Sequence, residues 1–182
     1  MQIFGGSSNQ DLVKQIAKLG KWERGSVESS QFENGERRIK ITNESKNQSN
    51  NGGHSAVIVQ SLSKNVDEHL IEFCLLCDAL TRQGYTDLIG VVPWLGYSKQ
   101  DKVFLPGEPL SAKVVAQIIQ TTKIKKLITF DLHNRAITGF FDIPVIELSA
   151  KPIFLEYFRK SANSDAVVVA PDEGSVKASA YF

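Results

Sequence analysis

The sequence predicts an α/β fold, in which helices flank a mostly parallel β-sheet. From residue 56 onward, short apolar runs alternate with longer amphipathic segments, which is typical of βαβ units. The apolar runs are continuous, as expected for parallel strands that are buried on both faces. At the N-terminus, a glycine turn joins the first apolar residues to another amphipathic segment. Strands and helices therefore alternate along most of the chain.

The elements follow from these patterns in chain order. Residues 1–4 are predicted to form a strand, and an Asn-Gly turn joins two short strands at 26–32 and 37–42 into a hairpin. Residues 43–55 are polar and rich in glycine, which predicts a surface loop that contains His54. The remaining strands are predicted at 56–60, 88–93, 125–131, 143–148 and 166–170. Helices are predicted after the N-terminal glycine turn and at 66–84, 110–122, 151–160 and 173–182.

Composition excludes several classes of function. The chain has 182 residues, of which 42% are hydrophobic and 23% charged, and its net charge is +1. Such a balance provides no basic field for non-specific binding of nucleic acid. No run of about 18 apolar residues predicts a membrane span. The N-terminal residues lack the basic and apolar regions of a signal peptide, so we expect a cytoplasmic protein.

Cys74 and Cys77 are the only cysteines, and their C-x-x-C spacing has several interpretations. The motif can form a redox pair or half of a zinc site. Here it lies within an apolar helical segment, with no second Cys/His pair nearby. We therefore interpret both residues as small buried side chains in a reducing compartment.

Small, polar or charged residues follow the predicted parallel strands. In such sheets, ligands bind in the crevice beyond the carboxyl ends of the strands. The segment "YSKQDK" (97–102) carries Lys99 and Lys102, whose ammonium groups suit anionic oxygens, with Gln100 as a further donor. The alternative is a charged loop that is simply solvated. A loop of this length inside a compact domain is usually either functional or disordered.

Two further segments at the same predicted edge suit a metal ion. His133 follows one strand, and a neutral imidazole there can bind a divalent ion or a phosphate oxygen, or serve only a structural role. Asp172 follows another strand in "APDEG", and a carboxylate there can hold Mg²⁺, although the motif also forms ordinary turns. Together with the lysines, they indicate chemistry on a magnesium-bound nucleotide, without a P-loop or a G-x-G-x-x-G motif.

These segments, in this order, resemble the ribose-phosphate pyrophosphokinases. The resemblance covers nearly the whole chain and includes "FENGE", "VVPWLGYSKQDK", "GEPLSAKVVA", "TFDLHNRAITGFFDIPV" and "VVVAPDEG". It implies a phosphoribosyltransferase-type fold with two similar α/β domains. Residues 1–148 would form the N-terminal domain with the ATP loops, and residues 149–182 would begin the second, truncated domain.

The resemblance also implies an activity and a set of binding residues. Members of this family transfer the diphosphoryl group of Mg-ATP to ribose 5-phosphate, giving phosphoribosyl pyrophosphate and AMP. They form homo-oligomers, such as dimers or hexamers, in which neighbouring subunits share the ATP site. The positions that match the family's magnesium-associated residues are His133 and Asp172. Those that match its ATP contacts are Phe32, Asn34, Glu36, Lys99, Gln100, Asp101 and Lys102.

Two departures from the family pattern shape the functional hypothesis. The family loop usually reads Arg-Gln-Asp-Arg, whereas this chain has lysine at 99 and 102. No segment after Asp172 resembles the family's catalytic basic pair or its sugar-phosphate loop, so the catalytic residues are unknown. We therefore expect the chain to be inactive alone and to be a fragment or one half of a split enzyme. The alternative is a non-catalytic nucleotide-binding or regulatory subunit that assembles with an active homologue.

Overall fold

A computed structural model of the chain describes residues 1–42, 54–161 and 167–182. Most of the loop predicted at 43–55 therefore lies outside the described residues. The chain divides into two units, Met1–Leu148 and Ser149–Phe182, which are described separately below.

The first unit is built on a parallel sheet, as predicted. Six strands pair in the order β2-β1-β5-β6-β7-β8, and every pair in this sheet is parallel. Two further strands, β3 and β4, form an antiparallel hairpin. The strands are β1 (Gln2–Gly5), β2 (Glu23–Arg24), β3 (Val27–Gln31), β4 (Arg37–Ile41), β5 (His54–Val59), β6 (Tyr85–Val92), β7 (Lys126–Phe130) and β8 (Val145–Leu148).

Helices connect the strands of the first unit and cover both faces of the sheet. They are α1 (Gln10–Gly20), α2 (Val66–Arg82), α3 (Ser111–Thr121) and a 3₁₀ helix at Arg135–Phe140. In α2, Asp67 and Glu68 lie in the first turn and Arg82 in the last, so the charges oppose the helix dipole favourably. Within the described residues, no helix is both long and apolar enough to cross a membrane.

Two apolar clusters show that the sheet is buried on both faces. Ala56 and Ile58 of β5 belong to a cluster with the inner faces of α2 and α3. Val57 and Val59, which alternate with them, pack with buried residues of α1. Alternating side chains of one strand thus reach opposite helical layers, which explains the continuous apolar run in the sequence. The strands supply the core, and polar groups are left to the loops at the strand ends.

The hairpin forms around the predicted Asn-Gly turn. Val27 pairs with Ile41 at its base, and Gly35 adopts a φ of +89° in the turn, a conformation that glycine allows at little steric cost. Ile39 and Ile41 pack against the core cluster below α2. His54, expected in the preceding loop, instead begins β5, where its ring lies 5.9 Å from that of Tyr85.

The second unit contains α4 (Lys151–Ser161), a 3₁₀ helix (Glu173–Ser175) and α5 (Val176–Ser179). The strand predicted at 166–170 was wrong for its described part, because residues 167–170 form no regular structure. A strand is stable only when its backbone pairs with a neighbour, and no described strand pairs with this segment. The final helix is also shorter than predicted.

Candidate functional site

The carboxyl ends of the parallel strands bring the predicted loops together at one edge of the first unit. Backbone hydrogen bonds continue between neighbouring loops beyond the strand ends. Gly6 N donates to Val59 O at 3.0 Å, and Gln60 N donates to Val91 O at 3.0 Å. On the other side, Phe130 N donates to Pro93 O at 3.3 Å. The loops after β1, β5, β6 and β7 are therefore direct neighbours.

The loop after β6 presents two lysines and anchors the two residues between them. Lys99 and Lys102 are exposed and make no ion pair with any described residue. Gln100 accepts a hydrogen bond from the Ser111 hydroxyl through its side chain, and one from Ala112 N through its carbonyl, at 3.1 Å. Asp101 accepts a hydrogen bond from Asn134 in the loop after β7. The two residues between the lysines are therefore held in place, Gln100 by α3 and Asp101 by the neighbouring loop.

A bond between two side chains joins this loop to the one that carries His133. Asn134 Nδ2 donates to Asp101 Oδ2 at 2.6 Å. His133, the preceding residue, is exposed at the same edge. The lysine loop and the loop that carries His133 are therefore neighbours in the structure.

Tyr97 supports the lysine loop and was not assigned a role from the sequence. Its φ is +61°, which a non-glycine residue adopts only at some cost, and its hydroxyl donates to Asp67 Oδ1 at the start of α2. The hydrogen bond to the carboxylate, together with its negative charge, raises the pKa of Tyr97. The aromatic side chain within the motif was the available signal in the sequence.

The predicted base-binding residues lie at the tip of the hairpin, where the turn is held by its own hydrogen bonds. Phe32 N donates to Glu36 O at 2.8 Å, and Gly35 N donates to Phe32 O at 2.9 Å. Asn34 Oδ1 accepts from Glu36 N at 3.1 Å. The Phe32 ring is 50% exposed, with the Arg38 guanidinium 5.9 Å from its centroid. No described hydrogen bond or ion pair joins this tip to the lysine loop.

Asp172 lies in the second unit and has a different setting from the one predicted. It follows no strand but caps the 3₁₀ helix that begins at Glu173, accepting from Ser175 N at 2.8 Å and from Ser175 Oγ at 2.7 Å. These hydrogen bonds, the side-chain bond first, hold the pKa of Asp172 below its ordinary value. The carboxylate is exposed.

His133 offers an imidazole nitrogen to Mg²⁺, and Asp172 offers a carboxylate. Among the described residues, no three His, Cys, Asp or Glu side chains cluster closely enough to hold a metal ion. Proteins usually bind Mg²⁺ through one or two carboxylates, with waters and substrate phosphates completing the shell. Each of these exposed side chains, taken within its own unit, therefore fits an ion that arrives with a phosphate ligand.

Glu72 is the main polar residue that sequence reasoning missed. It is fully buried in α2, and its carboxylate accepts hydrogen bonds from Ser7, Ser29 and Gln60. The signal was a charged residue among the inward-facing apolar positions of the helix. By contrast, the prediction that both cysteines are buried is confirmed for Cys77 but not fully for Cys74, which is half-buried. Both are free thiols, and burial raises the pKa of each.

Comparison with known proteins shows which family the chain resembles in sequence. Residues 1–122 match the model of the N-terminal domain of ribose phosphate pyrophosphokinase. The chain is 35% identical to a ribose-phosphate pyrophosphokinase of Fusobacterium nucleatum, with 97% of the chain and 55% of the relative covered. It is 37% identical to that of Bacillus caldolyticus, with 97% and 54% covered.

A solved structure agrees with these relatives. The phosphoribosylpyrophosphate synthetase of Mycobacterium smegmatis superimposes with a TM-score of 0.88 at 30% identity, covering 98% of this chain and 58% of that one. The chain spans about half the length of the curated relatives that it matches. The matched residues 1–122, together with this likeness in fold, show that the chain belongs to the ribose-phosphate pyrophosphokinase family.

Proposed function

We propose that the chain is the N-terminal portion of a ribose-phosphate pyrophosphokinase and that its sheet edge binds Mg-ATP. The observation that carries this proposal is the pair of exposed lysines, Lys99 and Lys102, on a loop whose intervening residues are anchored. Their position beyond the carboxyl ends of parallel strands is where such sheets bind ligands. The family assignment supports a nucleoside triphosphate as the ligand class.

The proposed reaction transfers the β,γ-diphosphoryl group of ATP to the 1-hydroxyl of ribose 5-phosphate and releases AMP. Phosphoryl transfer relies on alignment of the reactants and on neutralisation of the charge on the phosphate oxygens. Lys99 and Lys102 would supply positive charge to these oxygens. His133 in the first unit and Asp172 in the second would each be able to hold Mg²⁺ that arrives with the phosphates, and the ion would supply Lewis-acid polarisation of the phosphate oxygens.

The hairpin tip would hold the adenine base. Phe32 offers an exposed aromatic face for stacking, and its turn is already held by the bonds to Glu36 and Gly35. Asn34 and Glu36 would present polar groups to the edge of the base. In this proposal the protein is cytoplasmic and forms homo-oligomers, in which a hairpin tip contributes to the site of a neighbouring subunit.

Binding of Mg-ATP by the chain tests this function. Isothermal titration calorimetry should detect binding, and Lys99→Ala and Lys102→Ala should each weaken it by about tenfold, because a charged hydrogen bond is lost. Lys18→Ala is the matched control, since Lys18 is an exposed lysine in the last turn of α1, away from the lysine loop. Binding that is unaffected by both loop substitutions would contradict the proposal.

A second assay addresses catalysis. The chain is incubated with ATP, Mg²⁺ and ribose 5-phosphate, and AMP is measured. We expect no AMP from the chain alone, and AMP once the carboxyl-terminal half of a relative is supplied. Nucleotide binding without AMP under both conditions would instead favour a non-catalytic nucleotide-binding subunit.

A further inference from the structure

The buried Glu72 accepts hydrogen bonds from separate parts of the first unit. Its Oε1 accepts hydrogen bonds from Ser7 N at 3.1 Å and from Ser29 Oγ at 3.2 Å. Its Oε2 accepts from Ser7 Oγ at 2.5 Å and from Gln60 Nε2 at 2.8 Å. All four groups are donors, a role that only a carboxylate can match with both of its oxygens. The desolvation cost of burying this group is therefore offset by specific bonds.

The partners of Glu72 come from three elements. Ser7 belongs to the loop after β1 at the sheet edge, Gln60 directly follows β5, and Ser29 lies on β3 of the hairpin. The fully buried Gln60 extends the network, because its Oε1 accepts from Ser8 N at 3.3 Å and from Ser8 Oγ at 3.0 Å. One carboxylate in α2 thus connects the hairpin to the loops of the sheet edge.

The hairpin bond lies close to the tip that carries Phe32. Ser29 is three residues before Phe32, a distance of about 10 Å along an extended strand. The tip is itself fixed by hydrogen bonds within residues 32–36. A shift of β3 relative to Glu72 would therefore carry the whole tip with it.

We propose that Glu72 is a positioning residue that fixes the hairpin tip relative to the sheet edge of its own subunit and so sets how the tip meets the base in the ATP site of the neighbouring subunit. This inference rests on the proposed function for its ligand. A leucine at this position would fill a similar volume, and the free-energy cost of removing it from water would be lower than for a carboxylate. A carboxylate instead uses both oxygens: Oε1 accepts from Ser7 N and Ser29 Oγ, and Oε2 accepts from Ser7 Oγ and Gln60 Nε2.

Hydrogen exchange tests the mechanical link without any ligand. Ser29→Ala removes the hairpin bond alone, and we expect amide exchange in residues 27–41 to accelerate about fivefold, with little change in residues 5–8. Glu72→Gln places an amide against the same donors and should accelerate exchange in both segments. Asp78→Asn is the matched control, because it changes an exposed ion pair within α2, with Arg82, that does not involve the hairpin, and it should have about twofold effect or less.

Unchanged exchange in the hairpin of both test variants would overturn the proposal, as would an equal effect of Asp78→Asn. The conservative variant Ser29→Thr gives a further criterion. It retains the hydroxyl, so exchange in the hairpin should stay as slow as in the unaltered chain. Fast exchange in Ser29→Thr would show that the size of the side chain, and not its hydroxyl, sets the rate.

Ligand binding tests the positioning role itself. In calorimetry with Mg²⁺, Ser29→Ala should weaken ATP binding about fivefold and leave the affinity for inorganic tripolyphosphate unchanged, because only ATP requires the base contact. Equal losses for both ligands, or no loss for ATP, would overturn the role. If the unaltered chain binds neither ligand, the proposed function and the positioning role both fail, whereas the exchange rates still decide the link between hairpin and edge.

Discussion

Asn134 donates a hydrogen bond from Nδ2 to Asp101 Oδ2 at 2.6 Å and thereby ties the loop after β6 to the loop after β7. The other end of the same amide is also used, since Oδ1 accepts from Ala136 N at 3.0 Å and starts the 3₁₀ helix. A single side chain thus holds both the lysine loop and the segment next to His133. The relative position of these two loops depends on the amide donor of Asn134.

Asn134→Asp removes this donor and keeps the acceptor that caps the 3₁₀ helix. We expect the free energy of unfolding to fall by about 1–3 kcal/mol, because a hydrogen bond to a charged group is lost and two carboxylates face each other. Urea denaturation measures the change. The double variant Asp101→Asn with Asn134→Asp exchanges donor and acceptor and should regain most of the loss, and a double variant no more stable than Asn134→Asp would contradict this account.

Because Tyr97 donates a hydrogen bond to Asp67, the free energy of unfolding should fall as the pH rises into the alkaline range. The hydrogen bond and the charge of Asp67 raise the pKa of Tyr97 above its ordinary value of about 10. Its contribution is therefore complete below that value and is lost as the pH rises through the folded pKa. Tyr97→Phe should be less stable than the unaltered chain at neutral pH, with the difference narrowing in alkali.

Asp67→Asn provides the matched measurement for Tyr97. It removes the charge, so the pKa of Tyr97 should move down towards its ordinary value. Ultraviolet titration, read as the difference between each protein and its Tyr97→Phe counterpart, isolates this tyrosine from the others. A tyrosinate that forms at the same pH with and without Asp67 would show that the bond is absent in solution.

The sequence predicted the parallel sheet because its signal is local. Continuous apolar runs mark strands buried on both faces, and β5 and β6 lie where these runs occur. Strand β2 was missed, since its two residues are exposed and pair only because β1 lies beside them. The strand predicted at 166–170 is absent over its described residues, 167–170. An apolar run forms a strand only when another strand lies beside it, and no described strand pairs with this segment.

Site residues were predictable by type but not by their contacts. Exposed lysines on the loop after β6 follow from composition and position. That Gln100 is bound to α3, and that Glu72 is bonded to Ser29 of the hairpin, depends on residues distant in the chain. No window of sequence around Glu72 contains the partners that make its burial tolerable.

Gly6, in the loop after β1, should tolerate a side chain poorly. A Cβ at Gly6 would lie 2.1 Å from Gln60 Oε1, the atom that bonds Ser8. Gly6→Ala should therefore displace Gln60 and lower the free energy of unfolding by about 1–3 kcal/mol. Gly139→Ala is the control, because no atom lies within 4 Å of its added Cβ. Thermal unfolding that gives equal losses for both variants would contradict the close approach.

Replacing the loop lysines by arginine should strengthen nucleotide binding. Arginine keeps the charge and adds a planar fork that can bind phosphate oxygens through two parallel hydrogen bonds. Because Lys99 and Lys102 are exposed and unpaired with any described acidic residue, no existing contact is lost on substitution. We expect Lys99→Arg or Lys102→Arg to lower the Kd for Mg-ATP about threefold or more, by calorimetry. Lys18→Arg should change nothing, and unaltered affinity in both loop variants would contradict the expected gain from the guanidinium fork.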